Sequence, residues 1–314
     1  MTAHLTILIP VYNDTEAANR LLDALSSMLK DVTRYKVRVL LVNDGSAERP
    51  AITPRENMAI QLLHLVRNTG HQKAIAIGLA FIKENIPSDQ VLVMDCDGED
   101  RPEDALILLE QAEKNPGHIV FARRKSRKEG LRFRGYYRIY KIVFRLLTGK
   151  KISFGNFLVL PAPLLNKLVY YSEIWNHLAG AILKSGLPYI PIDTHRGQRY
   201  AGVSKMNFTS LLLHGLGAVG VFIEIIASRL LLFSLALIGL SLLVILGLLG
   251  IKYFTHKAIP GWTSTVTSAM LIILLQSFLL SLFTIFLYLS SQSQRKFIPA
   301  THYRDYTGDT EIIA

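Results

Sequence analysis

One stretch of closely spaced carboxylates, residues 91–104, has residue types that could hold a metal ion. It begins with four apolar residues that predict a short buried strand, and Asp95 and Asp97 follow that strand directly. Two carboxylates one residue apart at a strand end can both reach one hard cation such as Mg²⁺ or Mn²⁺. That cation can in turn hold a diphosphate. An acidic loop that is only solvated is the alternative.

Polar and glycine residues also follow the three strands predicted before this stretch. These strands are predicted at 5–12, 37–44 and 60–66, with helices at 16–29 and 71–84. Alternating strands and helices predict an α/β fold with an open, mostly parallel sheet whose ligands bind outside the carboxyl ends of the strands. A single polar strand end is most often a turn, but four in succession favour a binding site.

The segments at these strand ends resemble the successive motifs of family 2 glycosyltransferases. They are PVYND at 10–14, VNDGS at 42–46, RNTGHQKAIAIGLA at 67–80 and MDCDGEDRPED at 94–104. Within that family they are most similar to the polyprenyl-phosphate branch, the dolichol-phosphate-mannose synthase-like enzymes. The resemblance covers about residues 4–229. It implies a GT-A fold and an activated nucleotide sugar as donor.

The resemblance also implies roles for residues at the strand ends. Pro10, Tyr12 and Asp44 are expected to line the pocket for the nucleobase and ribose. Asp95 and Asp97 are expected to bind Mg²⁺ or Mn²⁺, which would neutralise charge as the nucleotide diphosphate leaves. For Asp44, a purely structural role in a turn stays open.

Basic residues further along the chain match two more motifs of the family. Arg124 and Arg127 follow a predicted strand that begins at residue 119. Arg199, Ser204 and Lys205 match an R-x-x-G-x-S-K pattern. The resemblance implies that these side chains contact phosphates of donor or acceptor, and that the 199–208 loop closes over the donor diphosphate.

Asn156 departs from the family pattern. Close relatives carry an aspartate here, followed by Phe-Arg, whereas this chain has Leu158 in place of the arginine. An amide cannot act as a base at neutral pH, which would matter for a sugar hydroxyl acceptor. A phosphate acceptor is already ionised at pH 7. We therefore expect Asn156 to orient sugar or acceptor in an active enzyme, and leave open a different sugar or an inactive relative.

The net charge of +11 lies in one segment. Residues 123–151 carry twelve Lys or Arg and one Glu, so the rest of the chain is near neutral. A helix over about 132–148 would place basic side chains on one side and aromatic and aliphatic side chains on the other. The basic residues are Arg134, Arg138, Lys141 and Arg145. This pattern predicts a helix lying in a membrane interface. A solvated helix packed on the sheet is the alternative, and two candidate membrane spans disfavour nucleic acid as the partner.

Two uncharged runs predict membrane-spanning helices within 230–291, at about 230–251 and 266–290. A glycosyltransferase domain is expected at 1–208 and a juxtamembrane helix at 209–229. The tail, 292–314, is expected to be polar, loosely ordered and cytoplasmic. The excess of basic residues on one side of the spans places the catalytic domain in the cytoplasm. No signal peptide is predicted, because a strand begins almost at once.

Two smaller features bear on the compartment and on the acceptor. The single cysteine, Cys96, excludes a disulfide within one chain and fits a reducing compartment. A helix is predicted at 173–184, and we expect its Trp175 and His177 to face the acceptor.

These features together predict an inverting, metal-dependent glycosyltransferase anchored in the bacterial inner (cytoplasmic) membrane as a multi-pass protein. It would move one sugar from a UDP- or GDP-linked donor to polyprenyl phosphate, undecaprenyl phosphate in a bacterium, on the cytoplasmic face. The expected partners are donor, acceptor and lipid bilayer, without nucleic acid, and a homo-oligomer is left open. The alternatives are another lipid or glycan acceptor, or a catalytically silent membrane protein that binds sugar nucleotides.

Overall fold

The computed structural model describes residues 2–30, 32–124, 142–150, 155–200, 215–254, 261–293 and 296–313, with only the backbone given for Arg124 and Ser293. The chain divides into two compact units. The sheet unit comprises Met1–Ile142, Lys150–Val221 and Lys296–Ala314, and the helical unit comprises Val143–Gly149 and Phe222–Arg295.

Within the described residues, the sheet unit is built on eight strands in the order β7-β5-β6-β4-β1-β2-β3-β8. They are β1 Ala3–Val11, β2 Tyr35–Asn43, β3 Ala59–Leu65, β4 Gln90–Val93, β5 Ile119–Arg124, β6 Leu158–Pro161, β7 Tyr189–Thr194 and β8 Thr307–Ile313. Strand β1 is parallel to β2 and β4, β2 to β3, and β5 to β7, whereas β6 and β8 are antiparallel to their neighbours. The mostly parallel sheet predicted from the sequence is confirmed.

The central strands are apolar on both faces because helices cover both sides of the sheet. Residues 5–11 of β1 are all buried. The helices of this unit include α1 Thr15–Leu29, α2 His71–Asn85, α3 Pro102–Lys114, α5 Ala162–Leu168 and α6 Leu178–Ser185. Helix α2 approaches the sheet closely at Gly78, where a Cβ atom would overlap the side chains of Leu8 and Val42. Two shorter helical stretches, α4 at 142–148 and α7 at 215–220, complete the numbering.

The helix predicted at 173–184 is wrong as one element. A 3₁₀ turn, Ser172–Trp175, is followed by α6, which begins at Leu178. The break occurs because the His177 side chain caps α6, with Nδ1 accepting a hydrogen bond of 3.0 Å from the N–H of Gly180. Trp175 and the buried His177 therefore lie on different elements.

The loosely ordered tail expected after the second apolar run is also wrong. Residues 296–313, here called the return segment, form helix α10 (Pro299–His302), a 3₁₀ turn (Tyr303–Tyr306) and strand β8. The segment is ordered because it buries Tyr303 and because β8 pairs with the edge of β3. Its cytoplasmic location remains a prediction.

The helical unit consists mainly of α8 (Ile223–Phe254) and α9 (Trp262–Ser293). Both are long and apolar enough to cross a membrane, and only 11% and 17% of their most apolar windows are buried. They extend beyond the predicted spans, 230–251 and 266–290, at both ends. Small hydroxyl residues are buried on both helices: Ser234, Ser241, Ser277, Ser281 and Thr284. Small residues of this kind let two apolar helices approach closely.

Only part of the predicted interfacial and juxtamembrane helices falls within the described residues. Helix α4 buries Phe144 edge-on against Phe222, with ring centroids 5.8 Å apart, and exposes Val143 and Leu146. The basic residues 132–141 lie outside the described part. The placement of this helix in a membrane interface therefore stays a prediction, as does the juxtamembrane helix.

Candidate functional site

The carboxyl ends of β1, β2 and β4 meet at one edge of the sheet. Val11 pairs with Asn43 across β1 and β2, and Leu8 pairs with Val93 across β1 and β4. The N–H of Asp44 continues this pairing and donates to the carbonyl of Val11 at 2.9 Å. Parallel pairing thus brings the motifs at 10–14, 42–46 and 94–104 together, as the sequence predicts.

Asp44 is held from two directions in a buried position, with 3% of its surface exposed. Its Oδ1 accepts hydrogen bonds from the N–H and the hydroxyl of Thr69, at 2.7 and 2.8 Å, and its Oδ2 accepts one from Gly70 N–H at 2.9 Å. The side chain therefore fixes the loop between β3 and α2, a structural role in a neighbouring loop and not in its own turn. Both acceptor positions of Oδ1 are thus filled, whereas Oδ2 keeps one for a ligand N–H.

The two loops after β1 and β2 are bonded to each other. Asn13, which has a positive φ of 49°, donates from its N–H to Ser46 Oγ and accepts from Ala47 N–H, both at 2.9 Å. Gly45 has a φ of +66°, and a Cβ atom there would overlap the backbone of Asn68. The turn therefore requires glycine. At the same edge Tyr12 is 43% exposed, and Pro10 is buried within β1.

Asp97 lies at the start of the loop after β4, with 15% of its side chain exposed. Its Oδ1 accepts from Glu99 N–H at 2.9 Å, and its Oδ2 accepts from Arg199 Nη2. Burial and the neighbouring Asp95 carboxylate raise the pKa of Asp97 above its ordinary value, against the two hydrogen bonds, which favour the ionised form.

Asp95 faces His71, which also contacts Asn156. His71 Nε2 is 3.2 Å from Asp95 Oδ1 and 3.1 Å from the side-chain nitrogen of Asn156. The buried Asp100 accepts a hydrogen bond of 3.0 Å from the N–H of Asp95 and so fixes the backbone there. Burial opposes protonation of His71, but the charges of Asp95, Asp100 and Asp44 outweigh it and raise the pKa of His71.

Residues 196–200 run along the loop that carries Asp97. The N–H groups of Gly197 and Tyr200 donate to the carbonyls of Glu99 and Asp97, both at 2.9 Å. Arg196 forms a two-point ion pair with Glu99, at 2.7 and 3.1 Å. Gly98 has a φ of +86°, and a Cβ atom there would lie 2.7 Å from the Tyr200 ring. The two segments therefore pack too closely for any other residue at position 98.

Most of the side chains that the sequence assigned to the site lie at this edge. They are Pro10, Tyr12, Asp44, Asp95, Asp97, Asn156 and Arg199. Arg124 is the last residue of β5, and its side chain is not described. Arg127, Ser204 and Lys205 lie outside the described residues.

Sequence reasoning missed the roles of His71, Thr69 and Glu99. His71 and Thr69 belong to the RNTGHQ motif, whose position directly after a strand was the available signal. Glu99 lies inside the acidic stretch, where its pairing with Arg196 depends on a contact distant in sequence.

The carboxylate oxygens at this edge suit a hard cation that binds together with a substrate. Within the described ranges, no group of three or more His, Cys, Asp or Glu side chains is arranged to hold a metal ion. Magnesium is commonly held by one or two carboxylates, with substrate phosphates and water completing its coordination. Asp95 and Asp97 supply such a pair, and burial together with the charge of Asp95 raises the pKa of Asp97, a charge that a cation would offset. Cys96 is buried, which raises the pKa of its thiol, and a soft sulfur ligand does not suit a hard cation.

Comparison with known families identifies the class of protein. The model of the family described as glycosyl transferase family 2 matches residues 6–166. The chain belongs to this family, as the strand-end motifs indicated.

Among individual proteins, the chain is similar to the uncharacterised glycosyltransferase YkcC of Bacillus subtilis (strain 168). The two are 26% identical over 284 residues, which cover 86% of this chain and 85% of the relative. Homologues also include polyprenyl-phosphate glycosyltransferases. The undecaprenyl-phosphate 4-deoxy-4-formamido-L-arabinose transferase of Photorhabdus laumondii is 27% identical over 154 residues, or 47% of this chain and 45% of that protein.

Solved structures confirm the GT-A fold. Mannosyl-3-phosphoglycerate synthase from Rubrobacter xylanophilus superposes with a TM-score of 0.51 at 17% identity, covering 73% of this chain and 74% of that one. Glucosyl-3-phosphoglycerate synthase from Mycobacterium tuberculosis, solved with Mn²⁺, UDP-glucose and phosphoglyceric acid, also has a TM-score of 0.51 at 13% identity. That match covers 71% of this chain and 80% of that one.

Proposed function

We propose that the chain is a membrane-anchored inverting glycosyltransferase that transfers one sugar from a UDP- or GDP-linked donor to a polyprenyl phosphate. The observation that carries this proposal is the Asp95–Asp97 pair beside His71 and Asn156, in a chain whose two long apolar helices are candidate membrane spans. Undecaprenyl phosphate is the acceptor proposed for a bacterial inner membrane, with the sheet unit on the cytoplasmic side.

Donor binding is supported by the edge formed by Pro10, Tyr12 and Asp44. A half-exposed tyrosine can stack on a base or ribose, and a fixed carboxylate can accept the N–H of uracil or guanine. Because Asp44 is already held by Thr69 and Gly70, it would meet the base without losing further side-chain entropy. The Mycobacterium tuberculosis synthase of the same fold was solved with a UDP-sugar and Mn²⁺.

Asp95 and Asp97 would hold Mg²⁺ or Mn²⁺ together with the donor diphosphate. The bound cation would stabilise the charge that develops on the leaving nucleoside diphosphate. Arg199 reaches Asp97 directly, so its guanidinium is within reach of a phosphate at the same place. Arg124, Arg127, Ser204 and Lys205 are proposed to contact phosphates from the adjoining segments.

A polyprenyl-phosphate acceptor is supported by three observations. Homologues named for undecaprenyl-phosphate and dodecaprenyl-phosphate substrates share this domain. The basic segment 123–151 suits an anionic lipid surface, with roughly 1 kcal/mol of attraction per cation. Asn156 cannot remove a proton, which an ionised phosphate does not require. We propose that Asn156, next to His71, orients the sugar or the attacking phosphate oxygen.

The test is transfer by the purified full chain in detergent micelles. The protein is incubated with undecaprenyl phosphate, Mn²⁺ or Mg²⁺ and a panel of radiolabelled UDP- and GDP-sugars. We expect label in the lipid phase with one donor, and its loss on chelation of the metal and in Asp97→Ala. Nucleotide binding without turnover for any donor would instead support a silent binder, and label in another lipid or glycan would identify a different acceptor.

A further inference from the structure

Strand β8 of the return segment is paired with β3. The other neighbour of β3 is β2, and the end of β2 belongs to the edge proposed to bind the donor, here called the donor edge. Strand β8 runs antiparallel to β3, with Glu311 opposite Leu62 and Thr307 opposite Leu65. The N–H of Val66 extends this pairing by donating to the carbonyl of Tyr306 at 3.0 Å. Only β3 therefore separates β8 from β2, the strand whose end carries the VNDGS motif.

Glu311 on β8 faces the buried side chain of His64 on β3. Its Oε1 is 3.2 Å from His64 Nε2, and His64 is only 6% exposed. The other ring nitrogen, Nδ1, is 2.9 Å from the side-chain nitrogen of Asn43 at the end of β2. A row of three side chains therefore leads from the return segment to the donor edge.

The hydrogen bonds of Asn43 indicate which ring nitrogen of that histidine accepts a hydrogen bond. Asn43 Oδ1 accepts from the N–H of Ser46 at 3.0 Å, so the amide nitrogen of Asn43 must point toward His64. An amide nitrogen only donates, so Nδ1 of His64 is the acceptor and the ring proton lies on Nε2. Glu311 Oε1 lies 3.2 Å from this nitrogen, although the N–H is not aligned for a hydrogen bond, so the carboxylate acts on it through its charge. The carboxylate thus stabilises the tautomer that holds Asn43, and Asn43 holds the turn at Ser46.

Arg49, which follows the turn at Ser46, also connects that part of the chain to β8 through two ion pairs. Its Nη2 is 2.6 Å from Asp309 Oδ2, and its Nη1 is 2.9 Å from Glu311 Oε1. Arg49 is 64% exposed, so each ion pair is weak by itself. Glu311, however, serves both Arg49 and His64, and couples the exposed contact to the buried row.

Aromatic contacts keep the return segment docked on the sheet unit. The Phe297 ring lies 3.8 Å from the Trp175 ring, and Tyr306 meets both of them at 5.1 and 5.4 Å between centroids. Tyr303 is buried edge-on against Phe81 of α2. These contacts are independent of Glu311, so a change at that residue should leave the segment in place.

We propose that the return segment positions the donor loop, residues 43–49, and that Glu311 is the positioning residue. It contacts no substrate but fixes, through His64 and through Arg49, the loop that holds the nucleobase. This inference rests on the proposed donor binding for its functional consequence. The ordering of the loop itself does not depend on which donor is used.

The test compares the full chain in detergent micelles with Glu311→Leu, Arg49→Gln and the control Asp305→Asn, which removes an exposed carboxylate of the same segment. UDP and GDP are titrated with Mn²⁺ by calorimetry, and hydrogen exchange is measured at 43–49. In Glu311→Leu we expect nucleotide affinity to fall roughly three- to tenfold, the effect of one lost hydrogen bond, and in Arg49→Gln about twofold, because its ion pairs are exposed. Exchange of the loop amides should rise, and the KM for polyprenyl phosphate should not change. Glu311→Gln keeps an oxygen that accepts from Arg49 and lies beside His64, and it should restore most of the affinity.

Equal exchange and equal nucleotide affinity in wild type, Glu311→Leu and Arg49→Gln would overturn the inference. Loss of affinity in Asp305→Asn as large as in Glu311→Leu would also overturn it, because the effect would then be general to the segment. If the wild type binds neither UDP nor GDP, the proposed function fails. The exchange at 43–49 then still decides whether Glu311 orders the loop.

Discussion

Arg199 donates from Nη2 to Oδ2 of Asp97, so a carboxylate proposed to hold the metal ion is paired with an arginine proposed to contact phosphate. The two roles compete for one oxygen. A cation at Asp97 would repel the guanidinium, and a donor diphosphate would offer it a new anionic partner. Exchange of Arg199 from Asp97 to phosphate would therefore link metal binding to donor binding.

Replacing Arg199 should change metal binding and donor binding in opposite directions. In Arg199→Gln we expect Mn²⁺ alone to bind more tightly, because Asp97 loses its competing cation. UDP should bind about tenfold more weakly, as expected for a lost charge-assisted hydrogen bond. UMP, which lacks the second phosphate, should lose less affinity than UDP. Calorimetric titrations of the three ligands measure this.

The matched control is Arg101→Gln, which removes a nearby arginine that pairs with Glu103. It should leave UDP and Mn²⁺ binding within about twofold of wild type, the usual range for a surface change. Weaker Mn²⁺ binding in Arg199→Gln would contradict the proposed competition.

Asp97 should be required for metal-dependent transfer. In Asp97→Asn the second metal-binding carboxylate becomes an amide, and we expect the transfer rate to fall by about 10²-fold or more, since one preorganised electrostatic group is lost. The Mn²⁺ concentration for half-maximal activity should rise. Glu103→Gln removes an exposed carboxylate of the same acidic stretch and should change neither quantity. Undiminished transfer in Asp97→Asn would exclude the proposed metal role.

The role of Asn156, whose side chain is 3.1 Å from that of His71, can be tested by substitution. Asn156→Asp keeps a polar group facing His71, and we expect transfer to polyprenyl phosphate to stay within about tenfold of wild type. Asn156→Leu has a similar volume without polar atoms and should lose more than that. A wild type without activity, with activity created by Asn156→Asp, would show that the natural chain is a silent binder.

The strands that carry the site were predictable because each is a local apolar run followed by polar residues. Residues 91–94 illustrate this, since these four apolar residues before the carboxylates predict a strand within one residue of β4, Gln90–Val93. Strand β8 could not be predicted in this way. Its residues, TGDTEII, are mostly polar and gain their strand conformation from the open edge of β3.

Contacts between distant segments account for the rest of what the sequence did not show. Glu311 and His64 meet only because β8 returns to β3 after the two long helices. His71 was visible in a motif, but its distance from Asp95 depends on how α2 packs on the sheet. Side-chain pairs of this kind are set by tertiary structure and leave no periodic signal in the sequence.

The turn that carries Trp175 contains an acid whose ionisation should make stability depend on pH. Glu173, 16% exposed, accepts a hydrogen bond of 2.8 Å from Lys184 Nζ in α6. Burial would raise the pKa of Glu173, but hydrogen bonds from Lys184, its own backbone and Ser172, with the charge of Lys184, outweigh burial and lower it. The ionised form is therefore favoured in the folded state, and its contribution to stability is present above the ordinary glutamate range.

In Glu173→Gln we expect the free energy of unfolding to fall by about 1 kcal/mol at neutral pH, a value typical of a well-placed ion pair. The difference from wild type should shrink as the pH falls below about 4, the ordinary glutamate value, because the wild-type side chain then protonates. Thermal unfolding in detergent micelles across this pH range measures both effects. Glu110→Gln, at an exposed position of α3, is the control and should shift stability by less than about 0.5 kcal/mol. A difference for Glu173→Gln that persists undiminished at acid pH would show that packing, and not the charge of Glu173, stabilises this turn.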